Sequence, residues 1–313
     1  MIIHPTILRN EVLMKGNVYY ENELKTLGYK GKFTSITHTN ELKSEILDLK
    51  RSGKLNTDIF NDYLDFDFEE LEDYNSIAIV AMELPVSIVE VEKDDSIKDV
   101  MIPSAYYSGG KVEAFNQNMK EFFNSQNIKY KPIHLPCKLL VARTGLGAYG
   151  RNNIAYIDDF GSYFRMRAYL TDIHIDEDNW KDVTQTELCA TCNICMESCP
   201  NHLISEKSYL IDAGRCITFF NEIEGEFPDW IDPKWHNAII GCMKCQYDCP
   251  HNLKFKSSMK VISRFNSCHV EDIFNSNSFD HLNEDTKEKV IEIECKDHYD
   301  VFRRNFKSVY QNI

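Results

Sequence analysis

Two stretches, CATCNICMESCP from Cys189 to Pro200 and CMKCQYDCP from Cys242 to Pro250, hold seven of the chain's eleven cysteines, and Cys216 lies between them. The first reads C-x2-C-x2-C-x3-C-P and the second C-x2-C-x3-C-P. Thiolates at this spacing are how a chain wraps iron–sulfur clusters, and two runs imply two clusters. In two-cluster ferredoxins the cysteine before the proline serves the other cluster. Applied here, the rule gives Cys189, Cys192, Cys195 and Cys249 to cluster A. Cys199, Cys242 and Cys245 go to cluster B, with Cys216 as its fourth ligand. Structural zinc is the alternative, since paired cysteines also suit a tetrahedral site. Against it, three cysteines crowd within seven residues, and each run closes on C-P.

Outward from this module, apolar runs and helical spacings alternate. Ile77–Met82 (IAIVAM) reads as a buried strand. Tyr130–Leu135 reads as a strand kept to an edge by Pro132. Ile154–Ile157 and Tyr163–Ile173 read as two more, joined at Gly161. Glu41–Leu49, capped by Asn40, and Val112–Phe123 have helical spacing, and residues 1–75 read as helices and loops. The expected fold class is α/β (α+β): a layered domain over residues 1–180, a ferredoxin-like two-cluster module over 181–252, and a short helical cap over 253–313. In that tail Phe274, Phe279, Leu282, Val290 and Ile293 are the expected packing residues.

The 313 residues carry 49 Asp or Glu against 35 Lys or Arg, a formal net charge of −14. Thirteen of the acids and one lysine fall between Thr57 and Asp95. This balance argues against unaided tRNA binding, because cations supply most nucleic-acid affinity. The run itself reads as a solvated face or as a dock for a basic electron donor. No apolar stretch is long enough for a membrane span, and the N-terminus carries no export pattern. Cytoplasmic location, with thiols kept reduced as ligands, is the expectation. Cys137, Cys268 and Cys295 read as buried small hydrophobes, although Lys138 beside Cys137 could lower that thiol's pKa.

Gly145-Leu146-Gly147-Ala-Tyr-Gly150 matches G-x-G-x-x-G, with Asp172 further on. A dinucleotide site needs a strand before this motif and a helix opening from it. The residues that follow read as strand instead, so the loop is expected to expose backbone to a flat ligand or to the cluster module.

Three segments together resemble the epoxyqueuosine reductase family: RTGLGAYGRNNI (Arg143–Ile154), FGSYFRMRAYLTDI (Phe160–Ile173), and the cysteine runs with GRCI (Gly214–Ile217) between them. The resemblance covers roughly residues 75–252. It implies a nitroreductase-like domain and two [4Fe-4S] clusters that pass electrons to a bound cobalamin. It places Gly145, Leu146, Gly147, Gly150, Arg151, Asn152, Phe160, Gly161, Ser162 and Tyr106 near that corrinoid. It also implies an external electron donor such as ferredoxin or flavodoxin.

Departures lie on the substrate side. The family's acidic residue between a strand and the glycine loop is missing from KPIHLPCK (Lys131–Lys138), where His134 is a candidate proton donor beside Tyr106. GGKVE (Gly109–Glu113) replaces a Gly-Arg-Asp-Tyr-His element. The glutamate preceding the Leu-Thr-Asp segment is Arg167 or Ala168. The family's C-terminal helical-repeat region, associated with tRNA, corresponds to about sixty residues here. The substrate is therefore expected to be a small molecule or modified nucleoside rather than necessarily tRNA. Alternatives are a corrinoid carrier serving another enzyme, and a two-cluster electron-transfer protein without corrinoid.

Overall fold

The computed structural model describes residues 15–54, Leu64, Phe66 and 71–313. Most of the acidic segment from Asn61 to Leu71, and the first fourteen residues, lie outside them. The chain begins with α1 (Asn17–Thr26), β1 (Lys30–Ser35) and α2 (Thr39–Arg51). Next come β2 (Ser76–Glu83), the hairpin of β3 (Ser87–Lys93) and β4 (Ser96–Ile102), and then α3 (Lys111–Ser125). They are followed by β5 (Tyr130–Ile133), α4 (Cys137–Arg143), the two-residue strands β6 (Ala148–Tyr149) and β7 (Ala155–Tyr156), and β8 (Phe164–Thr171).

The principal sheet runs β1-β2-β8-β5, antiparallel throughout. Of its two inner strands, β2 is buried at every residue but Glu83, as an uninterrupted apolar run requires. Pro132 lies on β5, an edge strand, where its missing N–H costs no ladder bond. One face buries Ile77, Ile79, Ala168 and Leu170 against Leu42 and Ile46 of α2 and Leu139–Val141 of α4. The other buries Ala78, Val80 and Tyr169 against Phe115, Met119 and Phe123 of α3 and Leu24 of α1. The alternation of sides along each strand assigns these residues to their faces.

Two sequence expectations change here. The first 75 residues are not all helix and loop: β1 is a strand, formed because Phe33 lies across from Ala78 in the register of β2 and shares its core. Helix α2 begins at Thr39, so Asn40 sits in its first turn and His38 holds the cap position.

The cysteine module contributes only short turns: α5 (Ile194–Ser198), α6 (Ile217–Glu222) and α7 (Lys244–Tyr247). The C-terminal segment opens on a strand, β9 (Lys260–Phe265), before α8 (Ser267–Asn275), α9 (Glu284–Glu292) and α10 (Tyr299–Asn312). β9 pairs parallel with β3, so the second sheet is β4-β3-β9. One core joins Val89, Val91, Val100 and Ile102 of the hairpin to Phe265, Val290, Ile293, Phe302 and Phe306. Residues read as a helical cap are thus built into a sheet begun more than 150 residues earlier. Val86, Tyr163, Ala238, Met243 and Phe255 form a bridging cluster between the sheets and the cysteine module. Among the described residues no helix is long and apolar enough to cross a membrane.

Candidate iron–sulfur centre and adjoining cavities

The cysteine side chains sort into two sets of four. Cys189, Cys192, Cys195 and Cys249 line a small cavity of about 20 Å³ beside Arg151, Tyr156 and His251. Cys199, Cys216, Cys242 and Cys245 line a second one of about 260 Å³. Each set crosses between the two runs. Among the described residues, no group of three or more His, Cys, Asp or Glu is arranged to hold a single metal ion.

The electrostatics follow the same grouping. Burial pushes the Cys195 thiol up to about 11, and Cys189, Cys249 and Cys192 push the same way. Burial pushes Cys242 up to about 12, with Cys216 and Cys199 adding to it. Cys245 is driven well up by burial, then by Cys242, Cys216, Cys199 and Cys195. Four thiols so placed resist ionisation unless a cationic centre takes the charge. The upward push of Cys195 on Cys245 also puts the two sets within electrostatic reach of each other.

The glycine-loop segment reaches into this module. The backbone N–H of Arg151 donates to Cys189 Sγ at 3.4 Å. Its buried guanidinium donates to the Cys192 carbonyl at 2.8 Å and also to the Cys189 carbonyl. Asn152 Nδ2 donates to Tyr156 Oη at 2.9 Å and to the Cys245 carbonyl at 3.0 Å. The Tyr156 hydroxyl bonds Cys249 and pulls its thiol pKa down, against the upward push of burial. Gly161 and Ser162 abut Asn252, just past the second run. A Cβ on Gly147 would stand 2.2 Å from the Tyr156 carbonyl, and one on Gly150 2.4 Å from the Tyr156 ring. Phe160 is part of the core under the principal sheet. Gly145, Leu146 and Gly147 also line a separate cavity of about 470 Å³ with Thr186 and His251. Helix α4 precedes this loop and the β6–β7 hairpin follows it, so the dinucleotide context is missing.

The two candidate proton donors stand in different cavities. Tyr106 lines one of about 150 Å³ with Arg165, Glu113 and Glu294. Its hydroxyl donates to Glu222 of α6. Burial holds the Tyr106 pKa well up, and Glu222 adds to that. His134 is exposed and lines a cavity of about 500 Å³ with Arg167 and Lys120.

Sequence reading missed Lys138 and Glu222, which both line the larger cysteine cavity. Lys138 Nζ donates to the Asn153 carbonyl at 3.1 Å, and burial lowers its pKa. Surrounding protein raises the Glu222 carboxyl pKa, while Tyr106 and Lys138 pull it down; the side chain still meets solvent at the cavity mouth. No local spacing shows that Lys138 faces cysteines more than sixty residues away. Its suspected effect on Cys137 is not found: burial pushes that thiol up to about 11. Cys295 is buried as read, whereas Cys268 is exposed.

Residues 188–252 match the family described as a 4Fe-4S double cluster binding domain. The chain is similar to the epoxyqueuosine reductase of Yersinia pestis, 32% identical over 141 residues, which is 44% of this chain and 33% of that protein. It is 34% identical to that of Escherichia coli K12 over 136 residues, 43% of this chain and 33% of the relative. The matched stretch thus spans about a third of each relative's length. The structure of epoxyqueuosine reductase from Streptococcus thermophilus superposes with a TM-score of 0.69 at 18% identity, covering 94% of this chain and 80% of the other. That likeness establishes a shared fold, and the resemblance read from the sequence holds.

Proposed function

We propose that the chain is an iron–sulfur reductase of the epoxyqueuosine reductase type. The observation that carries this reading is the sorting of eight thiols into two sets of four, each around one cavity. The donor set fits two [4Fe-4S] clusters, held by Cys189, Cys192, Cys195 and Cys249 and by Cys199, Cys216, Cys242 and Cys245. When bound, such clusters supply one-electron transfer. Arg151 and Tyr156 place hydrogen-bond donors and positive charge on the first site. Lys138 places a cation beside the second.

The two cavities would take the same cube, yet the second is far larger, about 260 against 20 Å³. The cavity is walled in part by Ile154, Ile204 and Phe219, with Lys138, Asn153 and Glu222 among its polar groups. Apolar walls with a few convergent polar groups suit a cofactor or electron acceptor. Of the residues assigned to cobalamin, Arg151, Asn152 and Ser162 direct polar groups to the cysteine module, while Gly145, Leu146 and Gly147 line a separate open cavity. If the chain binds a corrinoid, the residues suited to hold it are those around this surplus space. A corrinoid would supply a strongly reducing cobalt centre there. In either case Tyr106 keeps a proton on Glu222's side of the cavity mouth. An external small donor such as a ferredoxin, a small-molecule or modified-nucleoside substrate, and a cytoplasmic setting complete the proposal.

The test is anaerobic reconstitution, iron and sulfide analysis, and titration with cob(II)alamin followed by EPR. Two clusters and a protein-bound cobalt spectrum support the full reading. Two clusters with the spectrum of free cobalamin support the second reading, an electron-transfer protein, which the contacts of Arg151 and Asn152 with the cysteine module favour. Fewer than two clusters overturn both.

A further inference from the structure

The turn between β6 and β7 carries a buried donor for which no acceptor appears among the described residues. Gly150 N–H bonds the Ile154 carbonyl at 2.7 Å, and Asn153 N–H bonds the Gly150 carbonyl at 3.1 Å. These bonds close a tight turn with Arg151 and Asn152 at its tip, where the cavities of both cysteine sets meet. Asn152 turns to the Cys245 carbonyl of the second set, and Arg151 turns to the first.

Arg151 is 6% exposed, and its contacts fix how the guanidinium lies. Nη1 donates to the Cys192 carbonyl at 2.8 Å, and Nη2 donates to the Cys189 carbonyl. The backbone N–H reaches Cys189 Sγ at 3.4 Å. Burial pushes the Cys195 thiol up and Arg151 draws it back, so the charge is felt there too. Nε, also buried, has no hydrogen-bond partner among the described residues. The donors of a planar guanidinium form a rigid fork, and Nε–H lies along the same edge as Nη2. That edge is the one turned to Cys189. Several other buried polar atoms lack a partner among the described residues, but Nε alone belongs to a residue lining a cysteine cavity. A buried donor left unpaired is costly, so an orphan here marks a missing acceptor.

We propose that Arg151 Nε–H donates to a sulfur of the cluster held by Cys189, Cys192, Cys195 and Cys249, and that the layered domain sets this cluster's potential through it. The inference rests on the iron–sulfur reading above. Thiol sulfur is a weak acceptor, whereas bound thiolate and sulfide carry negative charge, and a charge-assisted bond is the stronger kind. Hydrogen bonds to the sulfurs and local charge both enter a cluster's potential. A cationic donor acts through both, and it favours the reduced, more negative state. The same turn meets the second set through Asn152, which is neutral and bonds Cys245 at its carbonyl. The effect therefore belongs to the first cluster alone.

The test is pulsed EPR of the cluster-replete protein, partly reduced, with its arginines labelled by the heavy nitrogen isotope at Nε alone. One labelled nitrogen should couple to a reduced cluster. The coupling should vanish in Arg151→Lys and persist in Arg215→Lys, which alters an exposed arginine next to Cys216. Lysine keeps the positive charge but has no Nε–H, so redox titration of Arg151→Lys should show one midpoint lowered and the other unmoved. Iron analysis separates this inference from the reading beneath it. Fewer than about eight iron atoms per wild-type chain would sink the redox reading and this inference with it. A full complement without nitrogen coupling, with coupling that survives Arg151→Lys, or with both midpoints unmoved would overturn this inference alone. Should Arg151→Lys assemble a single cluster, the labelled wild type and Arg215→Lys still decide.

Discussion

Ser162 and Asn252 hold each other by a reciprocal pair of hydrogen bonds. The Ser162 backbone N–H donates to Asn252 Oδ1 at 2.9 Å, and Asn252 Nδ2 donates back to Ser162 Oγ at 2.9 Å. Both side chains are buried, and both also reach Gln246, on the helical turn between Cys245 and Cys249. The pair fixes the layered domain to the second cysteine run. Gly161 allows it, because a Cβ there would stand 2.3 Å from Asn252 Oδ1 at a φ of +59°. Asn252→Ala should cost about 1–3 kcal/mol, the usual penalty for stranding buried polar partners, and speed loss of iron to a chelator. Unchanged denaturant midpoints and chelation rates would refute this.

Cluster occupancy gives a second expectation. Cys216→Ser should cut iron from about eight to about four atoms per chain, whereas Cys137→Ala should leave it at about eight. Iron analysis of the two reconstituted variants decides the matter. A full complement in Cys216→Ser would remove that residue from the ligand set.

Tyr156 should tune one cluster and spare the other. Its hydroxyl bonds Cys249 and accepts from Asn152. Removing a hydrogen bond to a cluster sulfur stabilises the oxidised state, so Tyr156→Phe should lower the potential of one of the two centres. Redox titration by EPR should show one midpoint shifted downward and one unmoved.

Acid should expose His236. Burial and then Arg304 depress its pKa to about 4, and neither ring nitrogen has a hydrogen-bond partner among the described residues. The folded form therefore takes up its proton later than the unfolded form, whose pKa is about 6.5. The stability it contributes is full above about pH 6.5 and is lost as pH falls toward 4. His236→Gln should flatten this part of the profile. The readout is the difference in melting temperature between wild type and variant at pH 7.5 and 4.5, which cancels acid lability of the clusters.

A further substitution probes the seam between Tyr106 and the second cysteine set. Gly241, next to Cys242, has φ +70°, and a Cβ there would lie 2.6 Å from the Tyr106 ring. Gly241→Ala should cost about 1–3 kcal/mol and move Tyr106 away from Glu222. A stability within experimental error of wild type would show that the ring yields easily.

The cysteine module was legible because its information is local: fixed spacings within a dozen residues. The apolar run of β2 and the edge position of Pro132 were legible for the same reason. What escaped was assembled over distance. Strand β1 carries one fully apolar inward residue, Phe33, among lysines, so no alternation marks it. Strand β9 (KVISRF) exists as a strand because β3 offers it an edge. Lys138 and Glu222 meet at a cavity wall from positions eighty-four residues apart. For Arg151, Asn152 and Ser162, hydrogen-bond partners come from the cysteine module, which no spacing in the loop itself encodes.

The parallel pairing of β9 with β3 bears on how the protein is made. Strand β3 leaves the ribosome well before β9, and the whole cysteine module lies between them. Until that module has closed, β3 keeps a bare hydrogen-bonding edge, the template on which chains stick to one another. A cell short of iron would accumulate molecules arrested at this stage. On this reading iron supply should act on solubility as well as on redox competence, so the yield of soluble chain is expected to fall when iron is withheld.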